Sequence, residues 1–187
     1  MFTITPIKTT TIYLLRNAEA AGYGLDDGLT NAGTAQAQAM VETLKPLQID
    51  GVFTSPAVRA KETAAPTAKA FGLASTVLPD LREHRMSLSG YDPDDPMLEL
   101  RFSNRTKARP GGETFNAAAS RLRQAIKTMS RRPLLAPLLV THGGLIASVL
   151  SQLNRGYGFA EFREMPQLAL FKLTHSNGLP RQIEALD

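Results

Sequence analysis

The fold and the candidate site both depend on residues 12–19, whose sequence is Ile-Tyr-Leu-Leu-Arg-Asn-Ala-Glu. The four apolar residues at its start form a short continuous run, which is typical of a parallel strand buried on both faces. In open α/β sheets, ligands bind beyond the carboxyl ends of the strands. We therefore expect Arg16 and Asn17, which follow the run directly, to lie at the floor of a pocket.

The composition is that of a single packed domain. The chain has 187 residues, of which 43% are hydrophobic and 20% are charged, so we expect one domain over residues 1–187. The polar segment 1–11 lacks the apolar core of a signal peptide, and no apolar run is long enough to span a bilayer. We expect a flexible lead-in over residues 1–11 and a cytoplasmic protein without a membrane partner.

The charge pattern favours a small anionic ligand. The net charge is +4, and the 21 lysines and arginines are spread along the chain. Because they form no stripe interleaved with aromatic residues, the sequence argues against nucleic-acid binding. The chain has no cysteine, only three histidines and no HExxH-like pattern, so the sequence predicts neither a metal site nor another cofactor.

Apolar runs alternate with helical patterns along most of the chain. This alternation predicts an α/β protein, a three-layer α/β/α sandwich with a mostly parallel central sheet. Ser55 is expected to cap the second helix, with Pro56 in its first turn. The predicted strands cover residues 12–16, 50–54, 76–78, 138–141, 167–174 and 182–185, and the predicted helices cover residues 32–45, 56–71, 114–131 and 145–153.

Residues 85–112 interrupt this alternation with several prolines, glycines, aspartates and arginines. We interpret the segment as a lid-like insertion with one or two helical turns near residues 95–103, while a solvated loop of mixed charge explains it equally well. The insertion holds three arginines that are candidates for binding a second anionic group of a substrate: Arg85, Arg101 and Arg105.

Ionisable residues follow several of the predicted strands, and a parallel sheet would bring them to one edge. Arg16 and Arg59 offer planar forks that suit phosphate oxygens. The backbone N–H groups of Gly143 and Gly144, which open the helix predicted over residues 145–153, favour an anion, and Glu83 is a candidate to protonate a leaving alkoxide. Singly, each has an ordinary explanation: a surface ion pair for an arginine, solvation for Glu83, a helix cap for His142. Their joint occurrence points to a site that binds a phosphoryl group without a metal.

With these segments in place, the sequence resembles the histidine phosphatase superfamily, which includes the cofactor-dependent phosphoglycerate mutases and the phosphohistidine phosphatases. The resemblance runs from Ile12 to about Phe171. The matching segments are LRNAE at 15–19, LTNAG at 29–33, TSP at 54–56 with Arg59, LRE at 81–83, GGETF at 111–115 and VTHGG at 140–144.

The resemblance implies a phosphoglycerate mutase-like fold and a metal-independent phosphomonoesterase that acts through a phosphohistidine. Arg16 and Arg59 fall on the family's phosphate-binding arginines, His142 on its second histidine, which with Gly143 also contacts the phosphate, and Glu83 on its proton donor. The implied partner is a small phosphorylated metabolite or a phosphopeptide, bound by a monomer or a homodimer. In the GGE segment, we expect Glu113 to make structural contacts only, at the start of a helix.

Asn17 departs from the family, because it stands where the nucleophilic histidine is expected. The lone pair of a carboxamide nitrogen is delocalised into the carbonyl, so this nitrogen cannot accept a phosphoryl group as imidazole does. The asparagine side chain is also too short to reach the position of the far imidazole nitrogen. Loss of a catalytic nucleophile costs on the order of 10⁶ in turnover. We expect neither remaining histidine to replace it, since His84 would at most approach the rim of the site and His175 would be solvated.

Three hypotheses remain open. In the first, the protein is an ordinary phosphatase in which Asn17 was introduced. In the second, it is a natural pseudophosphatase that binds a phosphorylated ligand. In the third, the scaffold uses Glu83 or His142 for other acid or base chemistry on an anionic substrate. A further hypothesis, of a different functional class, is a regulatory binding module that never handles phosphate. The modest length of segment 85–112 favours hydrolysis over the mutase reaction.

Overall fold

A computed structural model describes residues 10–87, 95–176 and 179–186 of the chain. Two short 3₁₀ turns, Lys45–Leu47 and Pro79–Leu81, join larger elements. In chain order these larger elements are β1 (Thr10–Arg16), α1 (Asn31–Leu44), β2 (Gly51–Thr54), α2 (Val58–Ala70), β3 (Ser75–Val77), α3 (Met97–Ser103), α4 (Phe115–Ser130), β4 (Pro137–Thr141), α5 (Gly143–Leu153), α6 (Phe159–Arg163), β5 (Leu170–Ser176) and β6 (Leu179–Leu186).

The strands form one mixed sheet in the order β3-β2-β4-β1-β5-β6. The first four strands are parallel, and β5 and β6 are antiparallel additions at one side. The register pairs Arg16 with Thr141 and Thr54 with Val140, so the carboxyl ends of β1, β4 and β2 lie side by side. The predicted meeting of these strand ends is therefore confirmed.

Helices cover both faces of the sheet, which confirms the three-layer α/β/α sandwich. Ile12 and Leu14 of β1 pack into a core shared with α4 and α5, whereas Tyr13 and Leu15 point to the opposite core, shared with α1 and α2. Successive side chains of a strand point to opposite faces, so a strand covered on both sides must be apolar throughout. Full burial of each such side chain contributes about 1.5–3 kcal/mol.

Hydroxyl caps fix the starts of two helices. Thr30 accepts a hydrogen bond from the N–H of Gly33 at 2.9 Å before α1, and Thr114 accepts one from the N–H of Ala117 at 3.0 Å before α4. Each cap satisfies a backbone donor that the first helical turn leaves without an intrahelical partner. Both helices begin within one residue of their predicted starts.

Two sequence-based expectations about the elements need correction, and one short helix was missed. Helix α2 begins at Val58 with Ala57 as its N-cap and no side-chain cap, so the predicted cap by Ser55 is wrong. The short helix α6 was not predicted. Thr10 and Thr11 already belong to β1 and pair with β5, so the predicted lead-in is too long, and the rest of it lies outside the described residues.

Within the predicted insertion, α3 falls inside the segment where helical turns were expected, while residues 88–94 lie outside the described part of the chain. Arg101 is only 2% exposed, and its guanidinium donates to the carbonyl of Met86 at 2.9 Å. The prediction that Arg101 binds a substrate group is therefore wrong, because a structural contact holds its side chain in the interior.

Candidate active site

Three side chains from adjacent strand ends form a hydrogen-bonded row at the carboxyl edge of the sheet. Asn17 follows β1, His142 follows β4 and Ser55 follows β2. The Asn17 Oδ1 atom lies 3.0 Å from His142 Nδ1, and His142 Nε2 lies 2.7 Å from Ser55 Oγ. The row exists because β4 lies between β1 and β2 in the sheet, so His142 is placed between the other two.

Hydrogen bonding determines the tautomer of His142. Asn17 donates from Nδ2 to the Ala18 carbonyl at 2.8 Å, which turns its Oδ1 atom, an acceptor only, towards the ring. His142 Nδ1 must then carry the proton, and Nε2 accepts from the Ser55 hydroxyl. Burial, and then the charges of Arg59, Arg121 and Arg16, lower the pKa of His142 well below 6.5, so the ring is neutral at neutral pH.

His142 is only 1% exposed, and both of its ring nitrogens are bound by protein groups. In this arrangement the ring does not line the cleft and is linked to it only by its hydrogen bond with Asn17. The predicted contact of His142 with phosphate stays a prediction. No side-chain bond from His142 caps α5, which disfavours the interpretation of this residue as a helix cap. From the sequence, Ser55 was expected only to cap a helix. Its position next to His142 depends on the order of the strands in the sheet.

Two arginines are held at the cleft by backbone carbonyls. Arg16 donates through Nη1 to the carbonyls of Met165 and Pro166, and Arg59 donates through Nη1 to the carbonyl of Gly24 at 2.6 Å. Burial lowers the pKa of Arg59, although the nearby Glu83 acts in the opposite direction. Each guanidinium has five N–H donors, so one anchored nitrogen leaves further donors for a ligand.

Glu83 occupies the N-terminus of α5. Its carboxylate accepts hydrogen bonds from the N–H groups of His84 at 2.7 Å, Leu145 at 2.9 Å and Gly144 at 3.3 Å. Burial raises its pKa, and this effect exceeds the opposing effect of the three N–H donors and of Arg59. Of the two glycines predicted to present N–H groups to an anion, Gly144 is therefore already engaged by Glu83.

These groups surround a cleft of about 210 Å³ at the edge of the sheet. Arg16, Asn17, Arg59, Glu83 and Gly143, all predicted from the sequence, line it together, whereas His142 does not. Gly144, the second glycine predicted to face an anion, lines the cleft as well. The remaining lining residues were not predicted as part of the site, and they are Glu19, Ala20, Gly22, Tyr23, Phe162 and Gln167.

The backbone after Asn17 is fixed by polar contacts. The N–H of Ala18 donates to Thr63 Oγ1 at 3.0 Å, and the Thr63 hydroxyl donates to the carbonyl of Arg59 at 2.7 Å. Glu19 is turned away from the arginines, because its carboxylate accepts from the Thr30 hydroxyl at 2.6 Å. Thr63 thus connects the loop of Asn17 to the helix that carries Arg59, a link that the sequence pattern did not reveal.

An ion pair behind the cleft holds the loop that carries Glu83. Arg121 of α4 pairs with Glu113 and also donates to the carbonyls of Asp80, at 2.6 Å, and Arg82, at 2.8 Å. Glu113 also accepts from the N–H of Arg85 at 3.1 Å. As predicted, Glu113 makes structural contacts near the start of α4. Arg121 was not singled out in the sequence, where it falls on the polar side of an amphipathic helix.

The two other histidines lie away from the cleft. His84 is buried, with Nε2 3.0 Å from the carbonyl of Glu113 and its ring against Phe115, and it does not line the cleft. His175 is only 2% exposed on β5, so the expectation that it is solvated is wrong. His175 lies on β5, between β1 and β6, and nothing in the local sequence indicates its burial.

Two features are absent from the described residues. No group of three or more histidine, cysteine, aspartate or glutamate side chains is arranged to hold a metal ion in the part of the chain that the structure describes. Over the same residues, none of the helices combines the length and apolar character that crossing a membrane requires.

Known proteins resemble this chain in sequence and in fold. A protein named as probable phosphoglycerate mutase GpmB, from Yersinia pestis (strain Pestoides F), is 27% identical over 158 residues, which are 76% of this chain and 74% of the relative. The solved complex of a mycobacterial glucosyl-3-phosphoglycerate phosphatase with inorganic phosphate is 25% identical, with a TM-score of 0.74 over 95% of this chain and 96% of that one.

A complex of the same mycobacterial phosphatase with VO3 is also 25% identical, with a TM-score of 0.70 over 89% of this chain and 96% of that one. The sequence profile of one family, the histidine phosphatase superfamily (branch 1), matches residues 12–183. The match begins inside β1 and ends inside β6, and so includes every strand end that contributes to the cleft. The chain therefore belongs to the histidine phosphatase superfamily.

Proposed function

We propose that this protein binds a phosphomonoester in the cleft at the end of β1, and that Asn17 leaves it inactive or strongly impaired as a phosphatase. Arg16 and Arg59 bind the non-bridging oxygens of the phosphoryl group. The N–H of Gly143, in the first turn of α5, offers a further donor. Glu83 is the group that protonates the leaving oxygen in a member of this family with an intact nucleophile.

One observation carries the proposal: two arginines face the cleft, and among the described residues no carboxylate lies within ion-pair distance of either. A buried cation is costly when no carboxylate contacts it directly, and Arg59 is only 4% exposed, with Glu83 and Asp27 near it but not in an ion pair with it. An anionic ligand with several oxygens would satisfy both guanidinium groups, and a phosphoryl group has the required geometry.

The relatives support the same chemical class of ligand. The mycobacterial enzyme at 25% identity was solved with inorganic phosphate and, separately, with VO3. Its name is that of a phosphatase, whereas the curated relative at 27% identity is named as a mutase. Both names describe enzymes that handle phosphate esters, and hydrolysis is the activity we assign to the ancestor of this chain.

Asn17 is central to the predicted inactivity. Its carboxamide is engaged through both polar atoms, by the Ala18 carbonyl and by His142. Neither atom is a nucleophile able to carry a phosphoryl group as imidazole does, so the covalent route through a phosphohistidine at this position is closed. His142 acts as a positioning residue for Asn17, and Ser55 holds His142 in turn.

A second candidate function rests on Glu83. Because burial raises its pKa, its protonated form persists to higher pH than in an exposed glutamate. A scaffold with such an acid beside two arginines is suited to protonating an anionic substrate without forming a covalent intermediate.

Whether Asn17 is natural or introduced is a separate question, which the codon of the source gene answers directly.

Phosphate binding tests the proposed function. Isothermal titration calorimetry with inorganic phosphate and with orthovanadate should show binding to the unmodified chain, and Arg59→Ala should abolish it. Arg59→Lys, which keeps the charge, checks that the loss is not due to unfolding. Arg131→Gln, at an exposed position beyond the other end of the sheet, is the matched control.

Hydrolysis of 4-nitrophenyl phosphate by the unmodified chain should stay near the uncatalysed rate. Failure of phosphate and vanadate to bind at millimolar concentration would contradict the proposed site and favour a regulatory module that never handles phosphate. Turnover that Arg59→Ala abolishes would instead contradict the predicted inactivity.

A further inference from the structure

A second cleft, of about 430 Å³, lies beside the start of β5 and the end of β6. Its volume falls within the range that is typical of small-molecule pockets. Segment 162–167 separates it from the cleft of Arg16 and Arg59, here called the phosphate cleft. Phe162 and Gln167 line the phosphate cleft, whereas Met165 and Pro166 line the second cleft. One stretch of chain is therefore a wall of both clefts.

This wall holds Arg16. The guanidinium of Arg16 donates through Nη1 to the carbonyls of Met165 and Pro166, and its backbone N–H donates to the carbonyl of Ala169 at 3.0 Å. The three residues that accept these bonds all line the second cleft. A ligand that packs against them would therefore act on the anchor of an arginine that the phosphate cleft uses.

The backbone of the wall is strained at one position. Leu168 has a φ of 57°, in the left-handed region that bulky side chains rarely adopt. Such a conformation persists only where the surrounding contacts impose it. Further contacts to Met165, Pro166 and Ala169 should therefore stabilise this conformation of the wall, and with it the position of Arg16.

The interior of the second cleft is apolar. Leu170 and Phe171 of β5 line it together with Ala185 and Leu186 of β6 and with Ala160 of α6. Contact with these side chains would remove apolar surface of a ligand from water, which favours binding. The body of the ligand should therefore be a hydrocarbon group.

The polar groups of the second cleft favour a cation. Glu161 and Glu164 line it, both are exposed, and within residues 10–87, 95–176 and 179–186 neither takes part in an ion pair. Tyr157 lines it as well, and over the same residues its buried hydroxyl has no hydrogen-bond partner. Burial raises the pKa of Tyr157, and the nearby charge of Glu161 acts in the same direction, so this hydroxyl is neutral and lies near a carboxylate. An ammonium group has three N–H donors, which suit such a set of acceptors.

We propose that the second cleft binds a small apolar molecule with one primary amine, and that this ligand tightens the binding of phosphate in the neighbouring cleft. The hydrocarbon group packs on β5 and β6, and the ammonium group contacts Glu161 and Glu164. Two effects give the coupling its sign: the ligand stabilises the wall that anchors Arg16, and its positive charge attracts the phosphate. The coupling rests on the proposed function, whereas binding of the amine does not.

The first test compares ligands that differ only in their terminal group. Calorimetric dissociation constants are measured on the unmodified chain for phenylalkylamines with two to five methylene groups, and for the alcohols and carboxylates of equal length. The best amine should bind with a dissociation constant below about 1 mM, as expected for a ligand of this size. It should bind about 10-fold more tightly than its alcohol, and the carboxylate should bind most weakly.

Variants assign this binding to the second cleft. Ala160→Phe places a large side chain at an exposed position that lines the cleft, and it should abolish amine binding. Ala39→Phe, at an exposed position of α1, is the matched control and should leave binding unchanged. Glu161→Gln combined with Glu164→Gln should bring the ratio between amine and alcohol to about 1. Glutamine keeps an oxygen that can accept from the N–H of Gly158, as Glu161 does, and thermal unfolding checks that each variant is folded.

The second test measures the coupling. Inorganic phosphate is titrated into the unmodified chain with and without a saturating concentration of the best amine, which should tighten phosphate binding about 5-fold. Because such coupling is reciprocal, saturating phosphate should tighten amine binding by the same factor. Ala160→Phe should abolish the effect of the amine and leave the binding of phosphate alone nearly unchanged.

The outcomes separate this inference from the proposed function. If none of the amines binds, or if Ala160→Phe binds them as the unmodified chain does, the amine site is overturned. An unchanged ratio in the double glutamine variant overturns recognition by the two carboxylates. If the amine binds in the second cleft but leaves an Arg59-dependent phosphate affinity unchanged, the coupling is overturned and the proposed function stands. Absence of phosphate binding overturns the proposed function and the coupling together, while amine binding still decides the site.

Discussion

Substitution of Gly144 by alanine tests how tightly Glu83 is held at the start of α5. A Cβ atom at this position would lie 2.8 Å from Glu83 Oε1 and 3.3 Å from Glu83 Cδ and from His84 Cβ. The carboxylate would have to move away from the helix by about half an ångström to restore van der Waals contact. Such a shift weakens the bonds from the N–H groups of Gly144 and Leu145.

Two opposing effects determine the magnitude. Alanine improves on glycine in a helix by at most about 1 kcal/mol, and less in the first turn. Hydrogen bonds to a charged group contribute about 1.5–3 kcal/mol each, and both bonds to the carboxylate are affected. The net expectation for Gly144→Ala is therefore a loss of about 1–2 kcal/mol in the free energy of unfolding. For a domain of this size, that lowers Tm by about 2–8 °C.

Differential scanning calorimetry and urea unfolding of the unmodified chain and of Gly144→Ala measure this loss. Gly156→Ala is the matched control, because its nearest non-neighbouring atom would be 3.4 Å from the new Cβ, an ordinary contact. A Tm for Gly144→Ala that equals or exceeds the Tm of the unmodified chain would refute the argument, since Glu83 would then be free to move without cost.

Three further predictions concern buried polar groups. Ser55→Ala removes the partner of His142 Nε2 and should lower the free energy of unfolding by about 1–3 kcal/mol in chemical denaturation. Burial, and then Arg101, lower the pKa of His84 to about 4 from 6.5. Between these two pH values the unfolded chain binds more protons than the folded chain, so the free energy of unfolding should fall by up to about 3 kcal/mol as the pH is lowered from 6.5 to about 4. Urea unfolding at several pH values measures this change. Arg121→Met leaves Glu113 without its main partner and should cost about 3 kcal/mol, so an unchanged unfolding midpoint would contradict the assigned role of the pair.

The strand ends of the site could be predicted from the sequence because they follow simple patterns. Residues 12–15 and 138–141 are apolar runs that a sheet covered on both faces requires, and each is followed directly by polar residues. Arg16 and His142 were found in this way. Their meeting follows from the rule that parallel strands place their carboxyl ends at one edge.

Other features depend on which strands are neighbours, and the sequence does not encode that locally. Ser55 meets His142 only because β2 lies beside β4, and a serine before a proline is more simply explained as a helix cap. The burial of His175 on β5 is a tertiary feature of the same kind, without a signal in the local sequence. Arg101 follows the polar pattern of an irregular insertion, and its burial against Met86 is a tertiary contact without a sequence signature.

The substitution Asn17→His tests most directly whether one residue separates this site from an active phosphatase. The measurement is the initial rate of 4-nitrophenyl phosphate hydrolysis by the unmodified chain, by Asn17→His and by Asn17→Gln. Glutamine is the matched control, because it lengthens the side chain without supplying a nucleophile. Arg59→Ala in the Asn17→His background tests whether any new activity uses the candidate phosphate site.

The account predicts a gain for Asn17→His alone of several orders of magnitude, up to on the order of 10⁶, the typical cost of losing a catalytic nucleophile. Arg59→Ala should then abolish the gain. If Asn17→His binds inorganic phosphate as the unmodified chain does but hydrolyses 4-nitrophenyl phosphate no faster, the site differs from that of an active phosphatase at more than the nucleophile, and the central claim is contradicted.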